Sequence, residues 1–155
     1  MPRPRLDAAN TRANLDARSP GGPPVRIAVI SENRDMLGLL RAVLTRDGRY
    51  VVKTEGSLFG GFETVAAGEA DVAILDCGFP EDRVFHTLEA IHGTRPACPL
   101  IFITSYALPD INMRALRCGA RCFLAKPFRR EVLLNEVRSV AFPGEEEEAS
   151  GGVAG

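Results

Sequence analysis

Four side chains of different chemistry stand at or just past the ends of apolar runs. Glu32 follows VRIAVI, Asp76 follows VAIL, Thr104 follows LIFI, and Lys126 comes two residues after RCFL. Two carboxylates with backbone carbonyls nearby make a small hard-cation site, suited to Mg²⁺. A lysine and a hydroxyl on the other side hold anionic oxygens. A carboxylate between a metal and a lysine is a nucleophile toward phosphorus. Such a set can do phosphoryl chemistry at a carboxylate, provided the fold brings all four side chains to one rim.

The elements that must do so are short and regular. Val25–Ile30, Tyr50–Lys53, Val72–Leu75, Leu100–Ile103 and Arg121–Leu124 are apolar or β-branched runs, too short for helices and suited to strands. Between them the spacing predicts helices over Asp35–Arg46, Leu58–Ala67, Arg83–His92 and Pro109–Cys118, with a last one over Arg129–Val140. Met36, Leu37, Leu40, Val43 and Leu44 make the apolar face of the first; Val132, Leu133, Val137 and Val140 that of the last. Gly60-Gly61 loosens the second, and Gly93 and Gly119 stop the third and fourth. Strands apolar throughout imply a parallel sheet covered on both faces. With right-handed crossovers the expected fold is α/β: a doubly wound five-stranded parallel sheet, order 2-1-3-4-5. Ligands of such sheets bind past the carboxyl ends of the strands, at the switch between strands 1 and 3.

The chain has 155 residues, 45% hydrophobic and 25% charged, with a formal net charge of -1. That is one ordinary domain able to bury a core without disulfides or metal. Residues 25–142 hold 15 basic and 14 acidic groups, so no bulk charge favours nucleic acid or a membrane surface. Nothing approaches a membrane span, and residues 1–24 lack the apolar segment of a secretory signal, so cytoplasm is the expected compartment. Residues 1–24, closing in SPGGPP, read as a disordered arm; residues 143–155, with Glu145–Glu148, read as a disordered acidic tail. Cys77, Cys98, Cys118 and Cys122 have no metal-ligand spacing and are expected to be buried, reduced thiols.

The order strand-SEN, strand-DCGFP, strand-TS, strand-AKPF resembles the receiver domain of two-component response regulators, over about residues 25–142. Each piece alone is commonplace; four pieces in order at the right strand ends are specific. The resemblance implies the flavodoxin-like (βα)₅ receiver fold and a Mg²⁺ cofactor. It implies that Asp76 accepts a phosphoryl group from the phosphohistidine of a sensor histidine kinase or a histidine phosphotransfer protein. Glu32 and the carbonyl of Gly78 become metal ligands with Asp76. Thr104 is the hydroxyl that follows the attached phosphoryl group, Lys126 contacts its oxygens, and Phe123 is the strand-5 aromatic that turns inward with the hydroxyl. Pro127 matches a proline whose preceding peptide is usually cis. Phosphorylation then reshapes the helix 4–strand 5–helix 5 face that docks a downstream protein. With the chain ending soon after the last helix, the expectation is a stand-alone signalling domain, not an enzyme, with no direct contact to nucleic acid or membrane.

One departure stands out. Ser31 occupies a position that is usually acidic in the family, which predicts weaker Mg²⁺ binding. Gly78 has no side chain to place an attacking water and Tyr106 is bulky enough to shield the site, so slow self-dephosphorylation is expected. Two other readings compete. A pseudo-receiver would be an interaction module that never takes phosphate, with Ser31 as its mark. A flavodoxin-like cofactor binder would need a phosphate-cradling loop after strand 1, where Ser31-Glu32-Asn33-Arg34 has no glycine.

Overall fold

In a computed structural model the described residues are 22–144, and they form five strands and five helices in strict alternation. The strands are β1 (Val25–Ile30), β2 (Tyr50–Glu55), β3 (Val72–Cys77), β4 (Leu100–Thr104) and β5 (Cys122–Ala125). The helices are α1 (Arg34–Thr45), α2 (Leu58–Ala66), α3 (Asp82–Thr94), α4 (Pro109–Arg117) and α5 (Arg130–Ala141). All neighbouring strands are parallel, in the order β2-β1-β3-β4-β5. The expected arm and tail, including Glu145–Glu148, fall almost wholly outside the described residues.

Side chains alternate across the strands, so each strand feeds both faces of the sheet. Ile27, Val29, Val72 and Ile74 pack with Leu40 and Leu44 of α1 and Leu133 and Val137 of α5. Ala28, Ile30, Ala73 and Leu75 pack with Val65 of α2, Leu88 and Ile91 of α3 and Ala115 of α4. Both faces are closed, which is why the strands read as continuous apolar runs.

Several local expectations are corrected. β3 runs two residues further than the apolar run, so Asp76 and Cys77 lie inside the strand, opposite Ile103 and Thr104. Backbone pairing with β4 continues whatever the side chain, and a polar residue at a strand end does not stop it. α3 continues through Gly93 to Thr94, since glycine weakens a helix without ending it. Val132 faces outward; Leu133, Val137, Val140 and Ala141 make the buried face of α5. Gly61 is more than a loosening of α2. A Cβ there would stand 2.5 Å from Ile30 Cγ1, so its absence lets the helix backbone settle on β1. Of the four free cysteines, Cys98 and Cys118 are buried; Cys77 and Cys122 are partly accessible.

Candidate functional site

The parallel sheet delivers the carboxyl ends of β1, β3, β4 and β5 to one rim. Two devices shape it. Asn33 caps α1, its Oδ1 accepting from the N–H groups of Asp35 and Met36, while its own N–H donates to Ser31 Oγ. The loop carrying Ser31 and Glu32 is thereby set against the sheet. After β5 the Lys126–Pro127 peptide is cis, as the resemblance implied, and the Lys126 N–H donates to the Thr104 carbonyl at 3.0 Å.

Asp76 is 2% exposed at the centre of this rim. Its Oδ2 accepts a 2.7 Å hydrogen bond from Ser31 Oγ. Its Oδ1 lies 2.8 Å from Lys126 Nζ, forming an ion pair. Ser31 therefore contacts the carboxylate directly. A second acid at that position could not have donated this bond.

Thr104 is fully buried, and its hydroxyl is not aimed at Asp76. Oγ1 donates to the Gly78 carbonyl at 2.7 Å and accepts from the Tyr106 N–H at 3.1 Å. It ties the end of β4 to the loop after β3. Burial pushes the neighbouring Cys77 thiol up to about 11, which keeps it protonated and unreactive at neutral pH. Phe123 lies on β5 with about a third of its surface exposed, 36%, outside the buried clusters.

Glu32 is directed elsewhere. Its two carboxylate oxygens accept from Arg83 Nη2 at 2.7 Å and Nη1 at 2.9 Å, a bidentate pair across 51 residues of sequence. Arg83 also donates from Nε to Glu81 at 2.8 Å. The Arg83 hydrogen bonds hold the Glu32 carboxyl below the usual carboxylate range. Sequence reasoning missed Arg83. Its one signal is position: it is a cation in the first turn of a helix, where the dipole disfavours positive charge, so it must be matched by anions. Phe79 was also missed as a contact. It meets Tyr106 edge-on, with ring centroids 5.3 Å apart, and both rings are exposed beside the site.

Glu32, Asp76 and Gly78 line one cleft of about 490 Å³, together with Glu81 and Arg83. Among the described residues no three His, Cys, Asp or Glu side chains gather as a metal cage. The donors nonetheless fit a hard cation of the kind that keeps several waters: the carboxylates of Glu32 and Asp76 and the main-chain carbonyl of Gly78.

Comparison with known proteins shows the fold and the family. A relative 30% identical over 79% of this chain is the DNA-binding transcriptional regulator NtrC of Bradyrhizobium sp. (strain RP501 Parasponia), of which the chain covers 26%. The chain spans 26% to 58% of the length of the first curated relatives it matches. Among solved structures, a CheY-like receiver domain protein from Methanospirillum hungatei JF-1 superposes with a TM-score of 0.71 at 23% identity, covering 81% of this chain and 98% of that one. A response regulator from Burkholderia pseudomallei, solved with a phosphorylated aspartic acid, calcium ion and citrate, gives 0.66 at 24% identity, covering 81% and 73%. The family model of the response regulator receiver domain matches residues 27–138, and the chain belongs to that family of two-component signalling domains.

Proposed function

We propose that this chain is a phosphoacceptor, taking a phosphoryl group on Asp76 from a histidine kinase or a histidine phosphotransfer protein. The observation that carries this reading is the state of Asp76. It is a buried carboxylate with Lys126 2.8 Å from one oxygen and a Ser31 hydrogen bond on the other. A carboxylate oxygen of Asp76 attacks phosphorus, the phosphorus–nitrogen bond of the donor breaks, and its electron pair stays on the imidazole. Lys126 meets the charge on the transferred oxygens, and Ser31 holds the carboxylate in one orientation. Glu32, Asp76 and the Gly78 carbonyl would hold Mg²⁺, which when bound neutralises phosphoryl oxygens. Thr104 moves from the Gly78 carbonyl to the phosphoryl group, and Phe123 turns inward into the space it leaves.

Output runs through protein contact on the face of α4, β5 and α5, where Met113, Leu116, Phe123 and Val132 are exposed. The receiver unit spans 25–142 and acts in the cytoplasm through protein contact, without direct contact to nucleic acid. Among the described residues no helix is long and apolar enough to cross a membrane.

A second reading, the pseudo-receiver, is favoured by one observation: Glu32 is already engaged by Arg83. Incubation with Mg²⁺ and acetyl phosphate, followed by intact mass, separates the two. One phosphoryl adduct on the native chain and none on Asp76→Ala is the expected result. No adduct, either from acetyl phosphate or from a phosphorylated histidine phosphotransfer protein, overturns phosphoacceptance and leaves the pseudo-receiver.

A further inference from the structure

We propose that Arg83 is a built-in counter-ion of the cleft, occupying Glu32 in the resting protein, and that a divalent cation binds by taking Glu32 from it. The inference rests on the metal role given to Glu32 above.

Geometry comes first. The guanidinium meets both oxygens of Glu32, at 2.7 and 2.9 Å, the fork-to-carboxylate match that a lysine cannot make. Arg83 and Glu32 line the same cleft as Asp76. The Nε contact to Glu81 at 2.8 Å gives the arginine a second anchor, so release from Glu32 leaves it beside the cleft, still paired.

A purely structural role explains the pair poorly. The side chains of Arg83 and Glu32 are 54% and 49% exposed, and exposed ion pairs add little to folding stability. Arg83 also stands in the first turn of α3, where a cation opposes the helix dipole. What the pair does change is the availability of Glu32. The usual second acid is replaced by Ser31, whose hydroxyl is spent on Asp76. A cation entering here must therefore win Glu32, and the price is the loss of a bidentate guanidinium contact. The same exposure that makes the pair weak makes it exchangeable.

The local charges support competition over cooperation. Three carboxylates, Glu32, Asp76 and Glu81, face two cations, Arg83 and Lys126. With Lys126, which pairs with Asp76 from outside the cleft lining, these groups carry one net negative charge before any metal enters, against the two positive charges of Mg²⁺. Turning Arg83 away from Glu32 exposes the missing negative charge where the metal needs it.

The test is calorimetric titration of Mg²⁺ into the full chain as native protein, Arg83→Gln, Glu32→Gln and the double variant. Arg83→Gln is expected to bind Mg²⁺ at least about threefold tighter, as the loss of a competing charge-assisted contact predicts. Arg83→Lys, which keeps the charge without the fork, is expected to fall between. With Glu32→Gln present, the Arg83 substitution is expected to lose most of its effect, because the two act on one contact. Equal or weaker binding by Arg83→Gln overturns the proposal. So does an equal gain with and without Glu32, which would make Arg83 a distant charge only. If neither the native chain nor Arg83→Gln binds Mg²⁺, the metal role of Glu32 fails and the proposal with it. If both bind alike and Asp76 still takes phosphate, this proposal alone fails. Circular dichroism of each variant checks that the fold is kept.

Discussion

Ser31 Oγ donates a 2.7 Å hydrogen bond to Asp76 Oδ2, joining two parts of the rim that are 45 residues apart in sequence. The residue that departs from the family pattern thus has a partner of its own. It replaces repulsion between two acids by a neutral donor, and it orients the carboxylate without metal.

Ser31→Asp should therefore have a metal-dependent stability. Without divalent cation the donor is lost and a second carboxylate faces Asp76, which destabilises the fold by about 1–3 kcal/mol. Mg²⁺ that binds the folded state should recover about 2.7 kcal/mol at a hundredfold excess over its dissociation constant. Thermal melts in chelator and in Mg²⁺ read both effects. A melting temperature indifferent to Mg²⁺ would show that the added acid does not rebuild a metal site.

Phe79 lines the cleft of Asp76 and meets the Tyr106 ring beside it, and phosphoryl lifetime should depend on this contact. The rings meet at 70° with centroids 5.3 Å apart, a geometry that adds about 0.5–1.5 kcal/mol beyond area burial. Tyr106→Ala should lose label from Asp76 several times faster than the native chain. Phe79→Ala should do so to a smaller degree, by freeing the tyrosine. Time courses of the phosphorylated proteins after donor removal give the rates, and equal lifetimes would exclude shielding by these rings.

Alkaline pH should weaken the fold through Cys98. Burial pushes this thiol from an ordinary 9.0 up to about 12 in the folded protein. A raised folded value favours the protonated form, so the stability is fully present below pH 9 and is lost as pH rises toward 12. Urea midpoints measured from pH 8 to 11 should fall, and Cys98→Ala should fall less steeply from a lower start. A parallel decline in both proteins would assign the loss to other groups.

Two helix glycines should respond oppositely to alanine. Gly38 in α1 has open space around the added carbon, and Gly38→Ala should stabilise by about 0.5–1 kcal/mol. At Gly61 in α2 the added carbon meets Ile30 at 2.5 to 2.7 Å, and Gly61→Ala should destabilise by about 1–3 kcal/mol. Urea unfolding of the two variants gives both signs in one experiment.

The elements were legible because their cause is local. Apolar runs of VRIAVI, VAIL and LIFI next to helix-period segments predict a covered parallel sheet, and the observed order β2-β1-β3-β4-β5 follows. Element ends were less legible. The side chain of Asp76 breaks the apolar run, yet its backbone pairs on with β4, and sequence pattern reports side chains only. Val132 misled for a related reason: an apolar residue at the edge of a helix face is buried or exposed according to the neighbour it meets, not its own type.

The sequence by itself determined which chemistry could gather at the rim. Alternating elements imply a parallel sheet, and parallel direction places Glu32, Asp76, Thr104 and Lys126 at the same end of it. Only the tertiary structure decided how those groups pair. Ser31 reaches Asp76, Thr104 holds the Gly78 carbonyl, and Glu32 turns to Arg83, 51 residues away. Each of these is a 2.7 Å contact between strand ends, loops and a helix start that the sheet brings together. Such contacts depend on rotamers and loop paths that the whole fold sets, and no periodicity along the chain encodes them.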